Sequence, residues 1–125
     1  MIFDTDILIL VQRGNKKAAI AVDKSSERYI SIITYMELLQ TARNKTQHDY
    51  IAGFLRDFGF HILPLTENIG HRAAVYVEEY TLSHNISGFD ALIAATATEN
   101  NMTLCSGNAK HFKAIQDLKF KMFRP

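Results

Sequence analysis

Apolar residues along this chain follow two alternating spacings. Short runs rich in β-branched and aromatic residues predict strands at residues 1–4, 29–33, 61–65, 103–106 and 119–123. Apolar residues three or four positions apart predict helices at residues 7–13, 16–22, 34–43, 51–58, 69–83, 87–101 and 109–115. Strands separated by helices predict an α/β fold, in which a mainly parallel central sheet is flanked by helices on both faces.

The opening stretch MIFDTDILIL places two acidic residues inside an apolar run. A carboxylate in a protein core must be paired, hydrogen-bonded or bound to a metal, because an isolated buried charge is strongly destabilising. Asp6 precedes a predicted helix and is suited to cap it. Asp4 ends the first predicted strand and has no such structural role. Since parallel α/β folds bind ligands at the carboxyl ends of their strands, we expect Asp4 to lie at the rim of a site.

Three further polar residues occur at predicted helix starts. The segments TYME and SGFD, which end at Glu37 and Asp90, have the form of a capping box. Asn108 is suited to a cap or a turn after a strand. Helix capping is therefore an open structural explanation for each of these residues taken alone.

A metal site explains these residues jointly with Asp4. Asp4, Glu37 and Asn108 each follow a predicted strand, and the carboxyl ends of parallel strands meet at one edge of a sheet. Asp90 lies in the first turn of a helix, where the helix dipole stabilises an ionised carboxylate. Converging carboxylates repel one another unless a cation neutralises them. Oxygen ligands favour Mg²⁺ or Mn²⁺, which is the cofactor we expect.

Composition predicts one domain, covering residues 1–125, with 47% apolar residues and no linker-like segment. The single cysteine excludes an internal disulfide and a zinc site built from several cysteines. The apolar start lacks a basic leader, and no run of residues is long enough to span a bilayer. These features predict a cytoplasmic protein without a membrane partner.

Charge is unevenly distributed, although the whole chain carries only +1. From residue 101 onward, five basic residues accompany one acidic residue, so this part carries +4 and the preceding residues carry −3. Such a division suits an acidic centre beside a basic surface, as where a metal meets a phosphate. An ordinary solvated tail is the more common explanation of such a charge pattern.

Four motifs resemble those of a known family. The segments FDTDILI, SIITYMELLQ, GFDALIAATA and LCSGNAKHFKAI occur in the order in which PIN-domain ribonucleases carry them. Within that family, the chain is most similar to the VapC-like toxins of bacterial and archaeal toxin–antitoxin pairs. The resemblance runs from Met1 nearly to the C-terminus, and DALIAATA is its most specific part.

The resemblance implies a role for each matching residue. Asp4 corresponds to the first metal-binding aspartate, and Thr5 to a hydroxyl that holds either that acid or a metal-bound water. Glu37 corresponds to the second acid, and Asp90 to a third acid that binds the metal directly. Asn108 stands where many relatives have a fourth acid, so the number of metal ions, one or two, stays open.

The resemblance also implies an activity. A PIN-domain toxin is a metal-dependent endoribonuclease, in which a water activated by Mg²⁺ or Mn²⁺ hydrolyses RNA and leaves a 5′-phosphate and a 3′-hydroxyl. Four basic residues are candidate RNA contacts, with solvated surface as the alternative: Lys110, His111, Lys113 and Arg13. The chain does not identify the RNA, since transfer, ribosomal and messenger RNA all fit.

Partners follow from the resemblance alone. VapC-like toxins form homodimers and are silenced by a VapB-like antitoxin, whose C-terminal segment lies in a hydrophobic groove and reaches the acidic site. Five apolar residues could line that groove or belong to the core, namely Ile7, Leu10, Val11, Leu38 and Leu39.

Two alternatives belong to other functional classes. A phospho-receiver signalling domain has a similar length and an acidic pair near its first strand, but it needs an aspartate at the end of a mid-chain strand. The segment HILPL provides none. The second alternative is a catalytically weak PIN-like protein that binds RNA or acts as a scaffold, because Asn108 replaces an acid.

Overall fold

Five strands are separated by one or two helices each, seven helices in all, in this computed structural model, which describes residues 1–125. The strands are β1 (Ile2–Phe3), β2 (Arg28–Ser31), β3 (Phe60–Leu63), β4 (Leu104–Ser106) and β5 (Phe120–Met122). The helices are α1 (Thr5–Gln12), α2 (Lys16–Lys24), α3 (Ile32–Gln40), α4 (Lys45–Asp57), α5 (Glu67–His84), α6 (Gly88–Glu99) and α7 (Ala109–Phe112).

The strands form one fully parallel sheet in the order β3-β2-β1-β4-β5. This confirms the predicted α/β class with a parallel central sheet. The order differs from the 2-1-3-4-5 order of flavodoxin-like folds such as the phospho-receiver domains, so the sheet excludes that alternative. β1 lies at the centre of the sheet, and the residue after it is therefore enclosed by neighbouring strands on both sides.

Adjacent residues of the central strands enter two different cores. Ile2 and Leu104 pack with α5 and α6 in one cluster, whereas Phe3 and Cys105 pack with α1 to α4 in another. Side chains alternate between the two faces of a strand, so each face of the sheet buries its own apolar layer. Both faces are covered by helices, as the sequence pattern predicts.

Four helices begin earlier than their apolar spacing predicts. α4 starts at Lys45 rather than residue 51, and α5 starts at Glu67 rather than residue 69. The other two directly follow strands. α1 starts at Thr5 rather than residue 7, and α3 starts at Ile32 rather than residue 34. In both places the strand passes into the helix through a single residue, Asp4 or Ser31, which serves as the N-cap. The apolar residues at these junctions fit the spacing of a strand and the spacing of a helix equally well. Their pattern therefore does not show where the strand ends and the helix begins.

The predicted strand that contains Pro64 lies at the edge of the sheet, as expected for a segment interrupted by proline. It is observed as β3, and Pro64 follows its last residue. Gly59 separates α4 from β3 with a φ of +68°, a conformation that side-chain-bearing residues rarely adopt. None of the helices combines the length and the apolar character needed to cross a membrane.

Candidate active site

Asp4 is buried where β1 meets α1, with 6% of its surface exposed. Its Oδ1 accepts a hydrogen bond from the Thr5 backbone N–H at 2.8 Å, and its Oδ2 accepts one from Ser106 Oγ at 2.7 Å. Asp4 is also the N-cap of α1. The prediction that Asp6 caps this helix is therefore wrong, because the helix begins directly after β1 without an intervening loop.

The carboxyl group of Asp4 is held in an environment that opposes its negative charge. Burial, together with the neighbouring charges of Asp6 and Asp90, raises its pKa to about 7. The hydrogen bonds from Ser106 and Thr5 lower the pKa and offset part of this effect. A cation bound nearby would lower the pKa of Asp4, because it would stabilise the ionised carboxylate.

Asp6 is a second acidic group at the same place, in the first turn of α1. Its Oδ2 accepts a hydrogen bond from the Gly107 backbone N–H at 3.0 Å, whereas its Oδ1 is buried without a partner. Burial and the charge of Asp90 both raise its pKa. A Cβ atom at Gly107 would lie 2.9 Å from Asp6 Oδ2, so glycine permits this close approach.

Glu37 is connected to the strand-end cluster through Thr5. Thr5 Oγ1 donates to Glu37 Oε1 at 2.6 Å and lies 3.1 Å from Thr34 Oγ1. Since a carboxylate accepts only and a hydroxyl has one proton, Thr34 donates in the second contact. Thr34 lies inside α3, whose cap is Ser31, so the capping box predicted for Thr34 and Glu37 is wrong. This leaves the side chain of Glu37 free to face the site.

Asp90 reaches the site from the first turn of α6. Ser87 is the N-cap of this helix and accepts a hydrogen bond from the Asp90 backbone N–H at 3.1 Å, which confirms the predicted cap. The Asp90 side chain does not take part in capping. Its Oδ2 lies 2.8 Å from Nδ1 of His111, and both side chains are about one-fifth exposed.

Asn108 occupies the N-cap position of α7, but its side chain makes no capping hydrogen bond. Its backbone N–H donates to Ser106 Oγ at 3.0 Å, and its side-chain Nδ2 lies 2.9 Å from Nδ1 of His111. The Asn108 side chain is therefore linked to Asp90 through the imidazole ring. The short helix α7 places both residues beside the acidic cluster.

The four predicted RNA contacts occupy different environments. Lys110, Lys113 and Arg13 are exposed. His111 is half-buried and contacts Asp90. Lys110 lies in the short helix α7 that carries His111, and Lys113 follows its last residue. Their role in binding RNA stays a prediction.

The five predicted catalytic residues belong to one hydrogen-bonded region at the carboxyl edge of the sheet. Ser106 links Asp4 to Asn108, His111 links Asn108 to Asp90, and Thr5 links Asp4 to Glu37. As the side chains stand, no three histidine, cysteine, aspartate or glutamate residues are close enough to form a metal-ligand group. The buried, unpartnered Oδ1 of Asp6 and the mutual repulsion of three aspartates nevertheless suit an oxygen-ligated cation.

The sequence analysis does not identify Ser106 as part of this region, and it assigns Asp6 to helix capping rather than to the site. The position of Ser106 depends on the strand register, which the sequence alone does not give. Phe3 pairs with Cys105, so the residues that follow them, Asp4 and Ser106, emerge side by side. For Asp6, the capping explanation obscured a second acidic group only two positions from Asp4.

The five apolar residues considered for a groove divide into two groups. Ile7 and Leu38 are fully buried core residues. Leu10, Val11 and Leu39 are partly buried and pack against the same core cluster. Only the second group presents any surface to a partner.

Comparisons with known proteins agree with this architecture. Residues 1–118 match the family model of the PIN domain. The chain is 32% identical to Ribonuclease VapC10 of Mycobacterium tuberculosis, over 95% of this chain and 90% of that protein. It is also 32% identical to Ribonuclease VapC1 of Rickettsia felis, over 95% of this chain and 92% of that protein.

A solved structure with a similar fold comes from a toxin–antitoxin complex of Klebsiella pneumoniae. The match has a TM-score of 0.80 and 29% sequence identity, and it covers 94% of this chain and 93% of that chain. The motifs in the sequence, the parallel sheet with its acidic edge, and the match over nearly the full length agree with one another. The chain therefore belongs to the PIN-domain family.

Proposed function

We propose that this chain is a metal-dependent endoribonuclease that acts as the toxin of a toxin–antitoxin pair, with residues 1–125 forming one PIN-like nuclease domain. Relatives named as VapC ribonucleases and a structural neighbour from a toxin–antitoxin complex support the proposal. The observation that carries it is the burial of Asp4 beside the charges of Asp6 and Asp90, which raises its pKa to about 7. Carboxylates arranged in this way are suited to neutralisation by a divalent cation.

Asp4, Asp90 and Glu37 would hold Mg²⁺ or Mn²⁺. A divalent ion bound there supplies positive charge that stabilises the pentavalent phosphorus transition state and lowers the pKa of a coordinated water. Asp4 reaches the site from the central strand and Asp90 from a helix N-terminus. Both carboxylates are thus anchored on rigid elements.

Glu37 is suited to orient the attacking water and to accept its proton. The hydroxyl of Thr5 bonds to Oε1, which fixes the carboxylate and leaves Oε2 to act as the base. Transfer of a water proton to Glu37 accompanies formation of the bond between the water oxygen and phosphorus. The bond between phosphorus and the 3′-oxygen breaks, and the leaving 3′-oxygen takes up a proton from solvent water. The products are a 5′-phosphate and a 3′-hydroxyl.

Partners are part of the same proposal. Single-stranded RNA would contact the exposed Lys110 and Lys113, in and directly after α7, with Arg13 as a separate contact. A VapB-like antitoxin would cover the site, and two copies of this chain would form a homodimer. A test of the pairing is growth of cells that express this chain, with and without the product of a neighbouring small reading frame.

The experiment that tests the nuclease is incubation of purified protein with RNA in Mg²⁺ or Mn²⁺, with EDTA and Asp4→Asn as negative controls. Glu78→Gln is a matched control because Glu78 is an exposed acid on α5. Cleavage that requires metal and is lost only in Asp4→Asn supports the proposal. RNA binding without cleavage under all metal conditions would contradict it and favour the scaffold alternative.

Sequencing of the RNA ends identifies the chemistry and the substrate together. Attack by water predicts fragments that carry a 5′-phosphate and a 3′-hydroxyl. A 2′,3′-cyclic phosphate would contradict the proposed mechanism, because it forms by attack of the internal 2′-hydroxyl. The same experiment after induced expression in cells distinguishes transfer, ribosomal and messenger RNA.

A further inference from the structure

His111 contacts an acidic residue of the site rather than open solvent. Its Nδ1 lies 2.8 Å from Asp90 Oδ2, and its side chain is 22% exposed. A carboxylate only accepts hydrogen bonds, so Nδ1 carries the proton in this contact. Asp90 therefore sets the tautomer of His111, and the N–H group at Nδ1 is already used in this hydrogen bond.

Asn108 contacts the same ring atom from another direction, with its amide nitrogen 2.9 Å from Nδ1. An Nδ1 that donates to Asp90 cannot also accept from this amide. Rotation of the Asn108 amide by half a turn places Oδ1 where Nδ2 lies. Oδ1 then accepts a hydrogen bond from the Nδ1–H group of His111, as Asp90 does. Asn108 thus holds the ring, and the ring holds the carboxylate.

We propose that His111 is a positioning residue for Asp90, fixed in turn by Asn108, and that it leaves Asp90 Oδ1 as the oxygen available to a divalent cation. This inference rests on the proposed function, because it assumes that Asp90 binds the metal. It gives Asn108 a role that does not require an acid at this position. It also gives His111 a different role from Lys110 and Lys113, whose proposed role is to contact RNA.

The alternative role for His111 is the RNA contact considered from the sequence. A contact to RNA would affect substrate affinity and leave metal affinity unchanged. A positioning residue affects metal affinity without any RNA present. Hydrogen-bonding partners of metal-binding side chains typically contribute about 10- to 100-fold to metal affinity. Direct measurement of Mn²⁺ binding therefore separates the two roles.

The test is isothermal titration of metal-free protein with Mn²⁺, in the absence of RNA. His111→Ala is expected to bind Mn²⁺ about 10- to 100-fold more weakly than the unaltered chain. His111→Asn is expected to bind nearly as well, because its amide nitrogen is two bonds from Cβ, as Nδ1 is. His111→Gln is expected to resemble His111→Ala, because its amide begins one carbon further along the side chain.

The matched control is His48→Ala, since His48 is exposed on α4. It is expected to bind Mn²⁺ as the unaltered chain does. If His111→Ala does not fold, the comparison between the Asn and Gln variants, with circular dichroism to verify folding, tests the same inference. Equal Mn²⁺ affinity of these two variants would overturn it.

Failure of this inference can be distinguished from failure of the proposed function. If the unaltered chain binds Mn²⁺ and His111→Ala binds equally well, the positioning role is wrong while the metal centre stands. A higher KM for RNA in that variant would then assign His111 to RNA binding. If the unaltered chain binds no Mn²⁺, the proposed metal centre is wrong, and the inference falls with it.

Discussion

Ser106 Oγ donates a hydrogen bond to Asp4 Oδ2 at 2.7 Å, although the two residues are 102 positions apart in the chain. The contact forms because β4 pairs with β1 in parallel, so that Asp4, which follows β1, and Ser106, the last residue of β4, emerge together. It stabilises the ionised form of a carboxylate that burial destabilises. This hydrogen bond therefore helps to determine the pH range in which Asp4 is ionised.

Replacement of Ser106 by alanine is expected to raise the pKa of Asp4 further, because it removes a hydrogen bond that lowers this pKa. The rising part of the pH–rate profile for RNA cleavage would then move to higher pH. Loss of the donor is also expected to reduce the free energy of unfolding by about 1–3 kcal/mol. Ser26→Ala is the control, since Ser26 is exposed. A pH profile that stays in place in Ser106→Ala would contradict this assignment.

The metal-free protein is expected to lose stability as the pH rises from about 4 to about 7. The folded state holds a proton on Asp4 up to a pKa of about 7, whereas the ordinary value is 3.8, so the folded state binds more protons between these values. Asp4→Asn removes this contribution. Urea denaturation in EDTA should show that the variant gains stability relative to the unaltered chain across this range, with no further gain above it. Parallel stability curves would argue against the raised pKa.

Removal of the Thr5 hydroxyl is expected to slow RNA cleavage by about 10- to 100-fold, because Thr5 orients Glu37 through a 2.6 Å hydrogen bond. Thr5→Val keeps the shape of the side chain and loses the hydroxyl, whereas Thr5→Ser keeps the hydroxyl. Single-turnover cleavage rates should fall in the valine variant and remain close to normal in the serine variant. If both variants cleave at the normal rate, Thr5 does not position Glu37.

Substitution of Lys110 or Lys113 by alanine is expected to lower the affinity for RNA. It is also expected to make that affinity less sensitive to salt concentration. Each phosphate contact contributes about 0.7 to the slope of log affinity against log salt for single strands. Fluorescence anisotropy in EDTA, at several salt concentrations, measures binding without cleavage. Lys24→Ala is the matched control, because Lys24 is exposed at the end of α2. An unchanged slope would mean that Lys110 and Lys113 are only solvated surface.

The sequence predicts the order of elements in this fold because its apolar spacing changes between strands and helices. It does not resolve the junctions at Asp4 and Ser31, where the residue after β1 and the last residue of β2 each cap the helix that follows. The N-cap at Ser87 is predicted correctly, since a loop separates it from the preceding helix, although the Asp90 side chain does not complete the capping box. Local capping rules thus predict the N-cap correctly where a loop precedes the helix, and they fail where a helix follows a strand with no loop between them.

The candidate site is predicted in outline because its acidic residues follow strands or begin helices. The contacts that hold these acids depend on tertiary packing, which local sequence does not encode. Glu37 is held by Thr5, which is 32 positions away, and Asp90 by His111, which is 21 positions away. Such pairings need the strand order and the helix packing, and these are known only once the chain is folded.

The central claim is that Asp4, Glu37 and Asp90 share a divalent cation. Its most direct test is anomalous diffraction from crystals of the protein soaked in Mn²⁺, since this locates the ion without reference to activity. We predict an anomalous peak among the carboxylate oxygens of Asp4, Glu37 and Asp90, and no peak there in crystals of Asp4→Asn. A peak at another place, or an occupied site that persists in Asp4→Asn, would contradict the account.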